Sequence, residues 1–381
     1  MASSISIADQ VHPSRIAYPE RDLDDLRDRL ERTRWGDELI EAGSDYGVPV
    51  AYVRRLANYW LDGYEWRAWE ARLNQYGPSE TVIDGQRIHF LHGRSPEPQA
   101  MPLIMTHGWP GSIAEFFDVI APLTDPASHG GNPSDAFHVV VPSLPGFGFS
   151  GPTRMRGWDN LRIARAWAEL MARLGYDRYG AVGNDAGSMI SPELGRIDAE
   201  HVVGVHVTQL FSFPSGDPEE MKDLGPDELS QLRVLQWFYE NKFSFNVLMA
   251  QQPQTIGYSI DDSPVGLLAW LAQLLGEELD PDFVLTNVMT YWLTRTGSSA
   301  ARLYYENAHA PRVSEPTTLP IGLAGFGGDF YGVRRLAERD HRNIVRWNTY
   351  DHGGISRPIR SLTSTSPTFG HSFARSADER A

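Results

Sequence analysis

Tyr179-Gly180-Ala181-Val182-Gly183-Asn184-Asp185-Ala186-Gly187 is the stretch on which the reading of this chain turns. Its first four residues predict a buried strand, and residues 189–197 predict a helix soon after. Between them lies the spacing of a strand-to-helix elbow, with Asp185 at the tip where a serine is more usual. Gly183 and Gly187 allow a tight turn that lifts the side chain off the sheet edge. A carboxylate needs no partner base to become nucleophilic, because its ordinary pKa of about 3.9 leaves it ionised at neutral pH. It can attack a strained or activated alkyl carbon and become an ester of the enzyme. The elbow therefore predicts hydrolysis through an alkyl-enzyme ester rather than ordinary acyl transfer.

Outward from the elbow, short apolar runs alternate with helical patterns. Residues 103–105, 139–141, 203–207, 320–324 and 344–347 are further predicted strands. Asn160 is the predicted cap of a helix whose Leu161, Ala164, Trp167, Leu170, Met171 and Leu174 share a face, with Gly175 ending it. Strands alternating with helices imply a mostly parallel sheet covered on both faces. Residues 211–307 break this alternation with helical patterning alone and read as a cap inserted after the sixth strand. Near the N-terminus, Leu23, Leu26 and Leu30 fall at helical spacing and residues 50–64 continue in a Trp-rich helical style, predicting an arm that lies on something else. The expected division is a helical meander over 1–95, a core over 96–210, a cap over 211–308 and a second part of the core over 309–354. Residues 355–381 form an aberrant, disordered tail in this division.

Bulk properties exclude whole classes of function. The 381 residues carry 34 basic against 49 acidic side chains, a net charge of −15, which argues against nucleic acid or an anionic membrane as partner. The absence of cysteine removes disulfides, thiolate metal sites and cysteine catalysis. The N-terminus is polar and no run of about 18 apolar residues occurs, so a soluble, cytoplasmic protein is expected. A homodimer is compatible with the sequence. The 11 Trp, 15 Tyr and 16 Phe would suit an apolar pocket, although most of them must serve the core.

A second motif, His107-Gly108-Trp109-Pro110-Gly111-Ser112, follows the 103–105 run. A glycine-rich turn at a strand end can aim backbone N–H groups inward, and the amides of Trp109 and Ala186 are the natural pair to form an oxyanion hole. A third turn, Pro142-Ser143-Leu144-Pro145-Gly146-Phe147-Gly148-Phe149-Ser150, shapes a pocket floor in this reading. His107, Pro110, Phe147 and Phe245 are the expected pocket residues.

These motifs together resemble the epoxide hydrolases of the α/β-hydrolase fold. The segment ending Arg32-Thr33-Arg34-Trp35 is similar to the helical meander of their microsomal and juvenile-hormone branch. So are Asp262-Ser263-Pro264-Val265-Gly266-Leu267-Leu268-Ala269-Trp270 and Leu285-Thr286-Asn287-Val288-Met289-Thr290-Tyr291-Trp292. The resemblance covers roughly residues 16–354; no counterpart of the membrane anchor of some members is expected. It implies the α/β-hydrolase fold with an N-terminal meander and an inserted cap, a small apolar epoxide as substrate, and no cofactor or metal. It also implies roles. Tyr304 matches the proton donor to the epoxide oxygen, a phenol that stays protonated at neutral pH. Asp329 matches the acid that orients a general-base histidine.

Three departures from the family pattern stand out. Ala186 replaces the tryptophan that usually follows the nucleophile. Phe245 stands where an assisting second tyrosine would fall. In Tyr350-Asp351-His352-Gly353-Gly354 the next residue should be the base, but it is Ile355. His352, three positions early, is the nearest substitute, and His371 is weaker. With codons chosen in a GC-rich style, one base restored before codon 355 turns the tail into His-Phe-Ala-Ala-Asp-Pro-Glu-Pro-Asp-Leu and then an amphipathic helix. The tail thus reads as out-of-frame translation, which resequencing the gene tests. Two rival readings remain. A haloalkane dehalogenase would use the same aspartate but needs side-chain halide donors, typically the tryptophan that Ala186 replaces; chloride release discriminates it. A non-catalytic binding protein would leave Asp185 without oxygen from labelled water.

Overall fold

The computed structural model describes residues 10–311, 315–327 and 329–351. Nine strands form one sheet: β1 (His12–Pro13), β2 (Ser79–Ile83), β3 (Gln86–Gly93), β4 (Met101–Thr106), β5 (Phe137–Pro142), β6 (Tyr179–Gly183), β7 (Val202–Val207), β8 (Ile321–Phe326) and β9 (Ile344–Tyr350). Their order is β1-β2-β3-β5-β4-β6-β7-β8-β9. Pairing is antiparallel from β1 to β5 and parallel from there to β9. All six runs expected to be strands are strands.

Chemistry of sequence explains the layout. β6, β7 and β8 are wholly buried, as continuous apolar runs with helices on both faces require. The helix Asn160–Arg173 presents Ile163, Ala164, Ala166, Trp167, Leu170 and Met171 to the sheet. Its N-cap is Asp159, not Asn160: the Asp159 carboxylate accepts the Arg162 N–H at 2.8 Å. The meander expected over 1–95 is helical only through Gln75 and closes with the β2–β3 hairpin. Ile83 pairs with Gln86 across Asp84-Gly85, both at positive φ, so a two-residue turn folds these strands back.

Residues 211–307 form the expected helical insertion, through to Gly297–His309, but it follows the seventh strand, β7, rather than the sixth, because the sheet has strands before residue 103 that carry no continuous apolar run. The N-terminal arm lies mainly on it. Leu23, Leu26 and Leu30 are buried on one face of Glu20–Glu31. Arg29 donates to the Asp262 carbonyl at 2.8 Å, the Tyr52 hydroxyl to the Gly276 carbonyl at 2.9 Å and the Tyr59 hydroxyl to Asp282 at 2.7 Å. β9 differs from its parallel neighbours, since none of its seven residues is fully buried.

Candidate active site

β4 and β6 are hydrogen-bonded neighbours in parallel register, Thr106 opposite Gly183. Their carboxyl ends therefore lie side by side, and the two sequence motifs follow them directly. This is where the order of crossovers reverses, the crevice in which open α/β sheets bind ligands.

The elbow is sterically determined. A Cβ on Gly183 would sit 1.9 Å from the Gly187 carbonyl oxygen, and one on Gly187 would sit 1.9 Å from that of Thr106. Neither position accepts any side chain. Asp185 itself takes φ +52° and ψ −118°, a conformation L-residues rarely adopt. Its backbone N–H donates to Gln209 Oε1 at 3.0 Å, which fixes the strained turn. Residues on either side of it are buried, whereas Asp185 keeps accessible surface.

The Trp109 N–H donates to Asp185 Oδ1 at 2.9 Å, and the Ala186 N–H also donates to this carboxylate. Gly108 permits the approach, because a Cβ there would fall 2.1 Å from Asp185 Oδ1. Asp185 also stands at the N-terminus of the helix Ala186–Ile197, where the helix dipole favours negative charge. Burial nevertheless outweighs these donors and pushes the Asp185 carboxyl up to about 6. It remains mostly ionised at neutral pH.

Aromatic rings form the wall facing it. Phe245 stacks on Trp109 with centroids 5.0 Å apart, and the Tyr304 ring meets both edge-on at 6.1 and 5.9 Å. Trp270 tilts against Trp109 at 6.1 Å. Burial, and then the Asp185 charge, hold the Tyr304 phenol well above its usual range, so it is a hydrogen-bond donor. Asp185, Trp109, Ala186, Tyr304 and Phe245 are thus assembled from four separate stretches of the chain.

Other expected site residues stand further back. His107 is engaged at both ring nitrogens: Nε2 accepts the Leu144 N–H at 3.2 Å and Nδ1 bonds the Gly108 carbonyl at 2.9 Å. Burial pushes its pKa down to about 4, so it is a neutral brace between two turns. Phe147 packs between His107 and Tyr291. Pro110 follows a cis peptide bond in the turn. Asp329 is half-buried in the turn after β8, at the same sheet edge as Asp185 but two strands away. The ends of β8 and β9 adjoin there: the Gly327 N–H donates to the Tyr350 carbonyl at 2.7 Å, and a Cβ on Gly327 would meet the Asp351 carbonyl at 2.6 Å. His352, His371 and the tail over 355–381 lie outside the described residues.

Sequence reasoning missed the supports. Tyr291 donates to the Gly111 carbonyl at 2.6 Å, and Asn287 Oδ1 accepts the Ser112 hydroxyl at 2.7 Å, so one helix, Pro281–Thr294, holds the Trp109 turn by two bonds. Polar residues four apart on an otherwise buried apolar helix were the available signal. Beneath the elbow Asn184, Thr208, Gln209 and Ser188 form a connected network. Buried Glu115 joins it through Asn184 Nδ2 at 2.9 Å.

Comparison with known proteins follows the same outline. Residues 11–116 match the family described as "Epoxide hydrolase N terminus", and residues 101–245 the "alpha/beta hydrolase fold". A Stigmatella aurantiaca protein named "Putative epoxide hydrolase" is 41% identical over 90% of this chain and 80% of its own length. Epoxide hydrolase 1 of Sus scrofa is 31% identical over 91% of this chain and 85% of its own. The crystal structure of juvenile hormone epoxide hydrolase from Bombyx mori superposes with a TM-score of 0.88 at 23% identity, covering 98% of this chain and 96% of that one, a likeness of fold. Among the described residues no helix is long and apolar enough to cross a membrane.

Proposed function

The chain belongs to the epoxide hydrolases of the α/β-hydrolase fold, and from that membership we propose a two-step reaction carried by its own residues. In the first step an Asp185 carboxylate oxygen attacks the less hindered epoxide carbon, the carbon–oxygen bond of the ring breaks, and Tyr304 donates a hydrogen bond or its proton to the leaving oxygen. The product is an ester of Asp185. In the second step a water oxygen adds to the Asp185 carboxyl carbon, and its two protons pass, by way of a base, to the departing alkoxide oxygen and back to Tyr304. The charge that develops is met by the Trp109 and Ala186 N–H groups, a type of contact whose loss commonly costs about 10²–10³ in rate. Collapse breaks the ester bond, releases a vicinal diol and leaves the water oxygen in the carboxylate.

One observation carries this reading: a carboxylate held at a strained elbow, with two amide donors already on it, opposite a phenol in an aromatic chamber. Those aromatic walls favour a bulky apolar epoxide. Asp329 takes the part of the acid that orients a base, with His352 as the nearest candidate for that base in the chain as written. Its displacement from the expected position makes the second step the slow one, so an ester should accumulate. The net charge of −15 fits a soluble, cytoplasmic enzyme.

Incubation with excess epoxide followed by intact-mass measurement tests this. The expected result is one stable adduct, mapped to Asp185 and absent in Asp185→Ala. Unmodified protein that produces no diol would refute the ester route; rapid multiple turnover would refute the accumulation. Slow release in ¹⁸O-water should leave label in Asp185.

A further inference from the structure

Glu115 is a carboxyl group that the two-step reaction leaves unused. It is only 7% exposed and has no ion-pair partner among the described residues. Asn184, the residue before the nucleophile, donates to its Oε2 at 2.9 Å. Its Oε1 occupies space that exists only because residue 111 is glycine, since a Cβ there would lie 1.5 Å away. Glu115 therefore touches both halves of the site: the turn that carries the Trp109 N–H and the elbow that carries Asp185.

Its charge state follows from its company. The facing titratable groups are Asp185 on the elbow and Tyr291 on the helix Pro281–Thr294; both become anionic, and neither can neutralise a carboxylate. Two neighbouring buried carboxyls do not both ionise cheaply. Burial raises Glu115 well above the usual carboxylate range, and the Asp185 charge adds to this. The negative charge stays on the nucleophile.

We propose that Glu115 is a positioning residue for the epoxide reaction, acting in its protonated form to lock the Trp109 turn against the Asp185 elbow. The assignment rests on Asp185 as the nucleophile. As a neutral acid, Glu115 accepts from Asn184 through one oxygen and adds no second charge below the site where the ester's oxyanion develops. A glutamine presents the same pattern, a carbonyl acceptor and an N–H donor, at nearly the same volume.

The test compares wild type, E115Q and E115L for the rate constant of Asp185 ester formation at saturating styrene oxide. E115L should be at least about tenfold slower with an unchanged half-saturation concentration, since small misplacement of reacting groups is costly. E115Q should stay within about twofold of wild type. The infrared difference spectrum of the resting proteins, wild type minus E115Q, should contain a carboxylic-acid carbonyl band. Should E115L fail to fold, N184A breaks the same link from its other end and should be slow instead. A wild-type rate in E115L or N184A overturns the positioning role. An E115Q variant as slow as E115L, or a carboxylate band in place of the acid band, overturns the protonated form. If wild type forms no ester, the nucleophile reading falls and this role falls with it, whereas a failure confined to the variants leaves that reading intact.

Discussion

Asp185, the proposed nucleophile, meets two opposed demands: the proposed attack needs its charge, yet it is seated where charge is expensive. Burial raises its pKa to about 6 against about 3.9 in the unfolded chain. The folded protein therefore binds more protons than the unfolded one between those values, and stability falls as pH rises from about 4 to about 6. Asp185→Asn should unfold at higher temperature than wild type at pH 7, by roughly 1–3 kcal/mol, and the gap should close below about pH 4. Calorimetry across that range checks it. Ester formation should decline about tenfold per pH unit below 6, and a flat profile down to pH 4 would contradict the raised pKa. Phe245 poses a second residue-scale question, because it brings a ring but no hydroxyl to the wall beside Tyr304. Tyr304→Phe should slow ester formation by about 10²–10³. Phe245→Tyr should recover part of that loss when combined with it, measured as single-turnover rates. The elbow was legible in the sequence because glycines at 183 and 187 leave few alternatives; Glu115 was not, since one buried acid between apolar residues has no spacing signature.

At the scale of elements, local periodicity revealed what repeats and missed what pairs. The parallel strands announce themselves as short apolar runs, and the Glu20–Glu31 helix by leucines on one face. The β2–β3 hairpin escaped, although Asp84-Gly85 is a strong two-residue turn signal, because its flanks are mixed in polarity and follow a long helical stretch. The helix Pro281–Thr294 is the instructive case. Its buried apolar residues could be read from sequence, yet its work lies in Asn287 and Tyr291, which hold Ser112 and Gly111. Removing either bond, by Asn287→Leu or Tyr291→Phe, should cost about 1–2 kcal/mol in stability. It should also slow ester formation by about tenfold, because the Trp109 N–H loses its anchor. Denaturant unfolding and intact-mass kinetics read the two effects separately. Equal rates in all three proteins would show that the turn holds itself.

In the whole molecule, the N-terminal arm is a strap. It binds the inserted helices through Arg29, Tyr52, Tyr59 and Tyr64, and it reaches the core through Arg72 on Asp118 at 2.6 Å and the Tyr76 hydroxyl on the Phe117 carbonyl at 3.2 Å. Sequence could say that an apolar arm must lie on something, but not on what, since its contacts to the inserted helices span more than 200 positions. The strap does not hold every helix equally. Pro281–Thr294 is buried almost throughout, whereas Pro226–Asn241 buries only Gln231. Hydrogen exchange should therefore proceed much faster in the backbone amides of Pro226–Asn241 than in those of Pro281–Thr294. Similar protection in both would mean that the insertion opens as one unit.

That uneven fastening has a consequence for traffic. An insertion tied to the arm along one side should open most readily along the other, at Pro226–Asn241. Trp237 and Tyr239 expose their rings there, and Tyr239 stacks on Phe243, which meets the Phe245 ring of the site edge-on. Substrates should then be sorted on those rings before they meet Asp185.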